Sequence, residues 1–241
     1  MAKRKKAAKT KQSAKPAPIT AKPAESGTES PAKSPAKSKL QKKKRLPSAP
    51  PEHARILSSK VVYQGPLFRV TKDDLIEPGG KRSSRDVVRH NGSIVIIAAD
   101  STKPGKSGRS SKNRKDPWIV MERQYRHAAG RFLWELPAGK LDAGEEPLAG
   151  AKRELEEETG YRAKKWKPLM EYFASPGFLG ETMKVFVAEG LVAGQAHPEE
   201  DEDIEIRLVR LSEIMKAIDK GEIMDGKTLS SIPLYARLRK R

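Results

Sequence analysis

Cysteine is absent from the 241 residues, which excludes disulfides, thiolate zinc centres and thiol nucleophiles at once. No apolar run approaches the roughly 18 residues that a membrane-spanning helix needs. The basic start, MAKRKKAAKTK, is followed by no apolar segment of the kind a secretory signal carries, and its poverty in Arg relative to Lys argues against an organelle transit peptide. Aromatic residues make up only 5% of the chain, and residues 1–50 contain none. The same stretch holds seven prolines and 15 Lys or Arg against two Glu, too little apolar surface to offset the entropy of ordering. These features predict a disordered Lys/Pro/Ala-rich basic tail over 1–54 and a folded domain over 55–241. The protein is expected to be soluble and cytoplasmic, or nuclear in a eukaryotic host, where KRKK and KKKR would serve as nuclear signals.

Charge is unevenly spread. Of the formal net +18, the first 50 residues supply +13, and the remaining 191 carry 34 basic against 29 acidic side chains. A Lys-rich tail neutralises phosphates, so nucleic acid is its natural non-specific partner, with affinity falling as salt rises; a merely solubilising extension is the alternative. A second basic segment, from Lys103 to Lys115, has the Gly, Ser and Pro content of a loop. Neither segment offers aromatic rings on which bases could stack, which argues against sequence-specific recognition.

Within the folded part, KVVYQ, LFRVTKDDL, RDVVRH and SIVIIAA read as strands in an antiparallel arrangement, with WIVMERQY the next strand. RFLWELPAG reads as a strand that stops at Pro137. Pro147 suits a first helical turn and Gly160 the residue just past an end, so a helix is predicted from about 147 to 159, packing through Leu148, Ala151 and Leu155. KWKPLMEYFAS, TMKVFVAEGL and IEIRLVR follow as strands, then LSEIMKAIDK and DGKTLSSIPLYARLRK as helices. Strands and helices mix without regular βαβ alternation, which points to the α+β class.

The informative stretch is GKLDAGEEPLAGAKRELEEETGY, residues 139–161, with seven carboxylates in 23 positions of a basic protein. Glu154, Glu157 and Glu158 stand at i, i+3 and i+4, on one side of the predicted helix, where like charges repel. Such runs are commonly solvated faces, but the surroundings here follow a tighter pattern, G-x5-E-x7-R-E-U-x-E-E-x-G-U, U being a bulky apolar residue. Seven positions (Gly139, Glu145, Arg153, Glu154, Glu157, Glu158 and Gly160) each demand one residue type. At about 7% usage apiece, a chance match is on the order of one in a hundred million per starting point. Hard divalent cations such as Mg²⁺ or Mn²⁺ bind through a few carboxylates together with substrate phosphates and water, and would relieve the repulsion among these three glutamates.

This pattern resembles the signature of the Nudix hydrolases. The resemblance implies an α/β/α sandwich with a mixed sheet, and hydrolysis of a nucleoside diphosphate linked to another moiety. It implies Mg²⁺ (or Mn²⁺) held by Glu154, Glu157 and Glu158 with the backbone carbonyl of Ala138, and a structural tie between Arg153 and Glu145, with Gly139 and Gly160 structural. Pro176, sixteen residues past Gly160 in SPGFLGE, resembles the ADP-ribose pyrophosphatase subgroup, as do RQYRHAAGRFLWELPAGKLD, RDVVRHNGSIVIIA and the DGKT helix. In that subgroup Glu181 is a candidate general base, with Glu157 the rival. Arg126 matches a position used against the diphosphate or terminal ribose, work that suits the guanidinium fork, and Arg89 is a further substrate-binding candidate. The resemblance also implies a homodimer. The expected reaction is Mg²⁺-dependent cleavage of ADP-ribose to AMP and ribose 5-phosphate. The alternatives are another nucleotide sugar such as GDP-mannose, or a nucleic-acid-associated protein that only binds nucleotide. The four histidines show no metal-ligand spacing and receive no role. Trp118, Trp134 and Trp166 are expected in the core or at a dimer interface.

Overall fold

The computed structural model describes residues 53–101, 116–197 and 203–239; the predicted tail, all but its last two residues, and the basic loop from Lys103 to Lys115 lie outside them. Among the described residues, ten strands and three α-helices follow in chain order. The first three strands, β1 (Arg55–Gln64), β2 (Arg69–Ile76) and β3 (Arg82–Arg89), form an antiparallel sheet of their own. The larger sheet contains β4 (Ser93–Asp100), β5 (Trp118–Arg126), β6 (Arg131–Glu135), β7 (Ala138–Lys140), β8 (Tyr161–Phe173), β9 (Thr182–Ala193) and β10 (Glu205–Arg210). Its main order is β10-β5-β4-β9-β8, with β6 on β5 and β7 on β4.

β4 explains the architecture. SIVIIAAD is buried along its whole length, as expected of a strand covered on both faces. Ile94, Ile96 and Ala98 point to one side, where they meet Ala151 and Leu155 of helix α1 (Pro147–Thr159). Val95, Ile97 and Ala99 point to the other and join a cluster with residues of α2 (Leu211–Asp219) and α3 (Gly226–Leu238). Period-two alternation thus separates two apolar layers, and the result is a sheet with helices on both faces.

The larger sheet is mixed, as the resemblance implied: β4 and β9 run parallel, pairing Ser93 with Met183 through Ala99 with Glu189. One expectation needs amendment. Leu148, in the first turn of α1, is exposed, while Ala151 and Leu155 are fully buried: the helix start projects beyond the cluster that its middle covers. Trp134 and Trp166 pack against the core as expected. Trp134 lies against one core cluster and Trp166 against the other, and the Arg210 guanidinium lies 4.1 Å from the ring centroid of Trp118. Among the described residues no helix is long and apolar enough to cross a membrane.

Candidate active site

The two ends of α1 are set by single residues. Pro147 opens its first turn, where a missing N–H costs nothing and the fixed φ is already helical. Gly160 closes it in the left-handed conformation, φ 69°, its N–H donating to the Glu156 carbonyl at 2.8 Å. A side chain there would also run into the backbone of Ala196. The buried Ala151 and Leu155 then fix the rotation of the helix, and with it the direction of its carboxylates. Glu158 is buried and Glu154 nearly so, while the Glu157 side chain is 46% exposed.

β7 lies flush against that helix. Gly139 pairs with Ile94 of β4, and the Glu154 carboxylate packs so closely over it that a Cβ at 139 would sit 1.9 Å from Glu154 Cδ. No side chain can be placed there without moving Glu154. Its neighbour Ala138 donates its N–H to Glu158 Oε2 at 3.2 Å, orienting the most buried of the three carboxylates.

Arg153 binds four groups. Its Nε and Nη2 donate to the two oxygens of Glu145, each at 3.0 Å, and Nη2 also reaches the Lys140 carbonyl at 3.3 Å. Its Nη1 donates to Glu154 Oε1 at 2.9 Å and Glu157 Oε2 at 3.0 Å. Glu145, above all, and then Glu154 and Glu157 raise the arginine's pKa against the cost of burial. The Arg153 hydrogen bonds and the Asp142 N–H hold the Glu145 carboxyl below its ordinary range. The paired fork ties the loop before α1 to the helix, and the other edge of the guanidinium offsets the repulsion of two helix carboxylates.

The loop after β8 contains Pro176 and brings Glu181 to the start of β4. It is pinned to β3 by a bond from the Val88 N–H to the Phe178 carbonyl (2.8 Å) and one from the Gly180 N–H to the Val88 carbonyl (2.9 Å). Ser93, one residue before the partner of Gly139, donates its hydroxyl to Glu181 Oε1 at 2.6 Å. His90 Nδ1 lies 3.7 Å from the same oxygen, but accepts the Gly92 N–H at 3.0 Å. Sequence spacing could not reveal this histidine or Ser93: they are about ninety residues from Glu181, and the β4–β9 register and the Val88 bonds to the loop join them.

Arg126 and Arg89 are both engaged. Arg126, at the end of β5, donates from Nε (2.8 Å) and Nη2 (2.6 Å) to Oε1 of the fully buried Glu135. Burial alone would lower its pKa, but Glu135, with Glu122 and Glu158 farther away, leaves it raised. Arg89 Nε donates to Thr71 Oγ1 at 3.2 Å, and its Nη2 pairs with the buried Asp73. The structure thus gathers Ala138, Gly139, Glu145, Arg153, Glu154, Glu157 and Glu158 around β7 and α1. Glu181 lies at the adjoining end of β4, and Arg126 lies within electrostatic reach of Glu158. Arg89 belongs to the three-stranded sheet.

Residues 110–229 match the NUDIX domain. The chain is 36% identical to the ADP-ribose pyrophosphatase of Bacillus subtilis over 77% of its own length and 93% of that protein. It is also 36% identical to the ADP-ribose pyrophosphatase of Mycobacterium tuberculosis, over 73% and 80% of the two chains. A crystal structure of an ADP compounds hydrolase superposes with a TM-score of 0.63 at 20% identity, covering 80% of this chain and 97% of that one, and so shares the fold. The chain belongs to the Nudix hydrolase family and is an enzyme of that class.

Nudix hydrolases generally work with a divalent metal, and the residues present fit one. The donors are hard oxygens on one helix side, with Glu158 oriented by a backbone N–H and Glu154 and Glu157 sharing a single arginine nitrogen. Among the described residues no three such side chains converge as a preformed cluster. Arg153 stands between two of them, so a cation would take over neutralisation that the arginine supplies.

Proposed function

We propose that this enzyme hydrolyses the diphosphate of ADP-ribose to AMP and ribose 5-phosphate, with Mg²⁺ (or Mn²⁺) as its cofactor. The observation that carries the reading is the arrangement of Glu154, Glu157 and Glu158 against Gly139, with Arg153 locked to Glu145 beside them. Relatives named ADP-ribose pyrophosphatase, matched over most of their length, support this substrate.

In this reading the three glutamates and the Ala138 carbonyl hold the cation. Once bound, such an ion supplies neutralisation of the diphosphate oxygens and acidifies water. Arg126 pairs with the diphosphate through the guanidinium edge that Glu135 does not use. Arg153 keeps the helix carboxylates apart and in register. Glu181, steadied by the Ser93 hydroxyl, accepts a proton as water oxygen attacks phosphorus and the bridging P–O bond breaks; Glu157 is the rival for that proton. The bridging oxygen leaves on one phosphate and takes up a proton, so water is divided between the two products.

A homodimer fits the same reading. Every residue of β1 is exposed, and Ile56, Leu57, Val61, Val62 and Tyr63 crowd this one strand, an apolar surface of the kind that a second copy covers. The tail is proposed as a non-specific, salt-sensitive nucleic-acid contact. The substrate is tested by offering ADP-ribose, GDP-mannose, NADH and diadenosine polyphosphates to the enzyme with a phosphatase in excess and following phosphate. Fastest release from ADP-ribose is expected. Preference for GDP-mannose, or release from none of them, would overturn the reading.

A further inference from the structure

DGKT, at the start of α3, is remote in sequence from every group discussed above, yet Asp225 and Lys227 lie beside Glu135. Asp225 caps the helix: its carboxylate accepts the Thr228 N–H at 2.9 Å and the Thr228 hydroxyl at 2.7 Å. Thr228 Oγ1 in turn accepts the Leu136 N–H at 2.9 Å, which fastens the helix start to the segment just after Glu135. The cap leaves Lys227 aimed inward. Its side chain is only 9% exposed, and Nζ lies 2.5 Å from Glu135 Oε2 and 3.2 Å from Asp225 Oδ1.

Glu135 therefore divides its oxygens. Oε1 binds Arg126 through two nitrogens, and Oε2 binds Lys227. A buried carboxylate with an oxygen left unpaired is costly, so its second oxygen also needs a partner. Three glutamates act on Arg126, namely Glu135, Glu122 and Glu158, and Glu122 and Glu135 are completely buried. Lys227, unlike the partly exposed Arg126, is a nearly buried cation of this group. Its own pKa, which burial would depress, is raised by Asp225 and Glu135, so it remains ionised and satisfies the second oxygen.

We propose that Lys227 is a positioning residue: by occupying Glu135 Oε2 it limits the hold of that carboxylate on Arg126 to one oxygen, and so keeps the arginine side-on, with its remaining edge turned to a diphosphate. The proposal rests on the reading of Arg126 as a diphosphate contact. It gives the third helix a specific task, since α3 carries a cation that presets a substrate-binding group on β5 through a carboxylate on β6. Arg126 is bound at its Nε side and remains 39% exposed, in keeping with a group that is anchored yet reachable.

The test is a double-mutant cycle on the full chain with ADP-ribose and Mg²⁺, using Lys227→Met, Arg126→Ala and the pair. Lys227→Met is expected to raise KM about tenfold while kcat stays within about twofold, since it weakens a substrate contact and leaves the helix carboxylates alone. Lys227→Arg, which retains charge and reach, should restore KM. In the Arg126→Ala background, Lys227→Met should add no further rise. Effects that multiply, or a fall in kcat at constant KM, would overturn the proposal, because a lysine needed only for folding would act whether or not Arg126 is present. An Arg126→Ala enzyme with unchanged KM would instead refute the reading of Arg126, and the proposal with it. If Lys227→Met lowers the melting temperature so far that it cannot be assayed, Lys227→Gln carries the same cycle, with the same outcomes deciding.

Discussion

At the scale of single residues, Gly139 carries the sharpest constraint. The Glu154 carboxylate occupies the space that any side chain at 139 would enter, so Gly139→Ala must push Glu154 aside. Misplacement by about an ångström in such a site costs on the order of a hundredfold in rate. Gly139→Ala is therefore expected to lose about that much kcat/KM on ADP-ribose, with the rest of the fold intact by circular dichroism; an unchanged rate would mean that Glu154 has no part in holding the cation. The requirement for glycine at 139 was legible in the pattern of residues 139–161, but its cause was not. A side-chain carboxylate lying over the glycine's Cα is a tertiary fact. The same limit explains why Ser93, His90 and Lys227, though they lie in segments that resemble the subgroup, received no role of their own: each acts across strands or helices that the chain visits far apart.

At the scale of elements, α1 was readable almost to the residue, because Pro147 and Gly160 punctuate it and Ala151 and Leu155 supply the buried stripe. The strands were readable as segments. Their pairing was not: the separate β1–β3 sheet and the parallel β4–β9 pair depend on which apolar faces meet, and local alternation does not encode that. The link that makes α1 a unit with the loop before it is the Arg153–Glu145 fork. The folded-state pKa of Glu145 is held below the ordinary glutamate range, so its contribution to stability is fully present above its unfolded value and is lost as pH falls through the depressed one. Glu145→Gln should therefore lower the melting temperature near neutral pH, and the difference from the native chain should shrink as pH falls below the ordinary glutamate range. A difference that persists undiminished into acid would show that the pair's charge is not what matters.

At the scale of the whole molecule, two parts with different chemistry are joined. Residues 1–50 carry a net of +13 with no aromatic residue, and residues 51–241 a net of only +5. Every site residue named above lies in the second part. Deleting residues 1–50 is accordingly expected to leave ADP-ribose hydrolysis within about twofold, to leave a dimer in sedimentation through the exposed β1 face, and to abolish salt-sensitive binding to DNA. A monomeric truncation would place the dimer contact in the tail, and retained DNA binding would move that surface into the folded domain.

The central claim is that the carboxylates of α1 hold the ion with which this enzyme splits ADP-ribose. Its most direct measurement is kcat for ADP-ribose with Mg²⁺ in the native enzyme and in Glu157→Gln, whose substitution alters a half-exposed carboxylate and leaves the buried Glu158 and the helix packing in place. The account predicts AMP and ribose 5-phosphate from the native enzyme, and a loss of turnover of about a thousandfold or more in a variant that melts at nearly the native temperature. Near-native turnover by Glu157→Gln would contradict it.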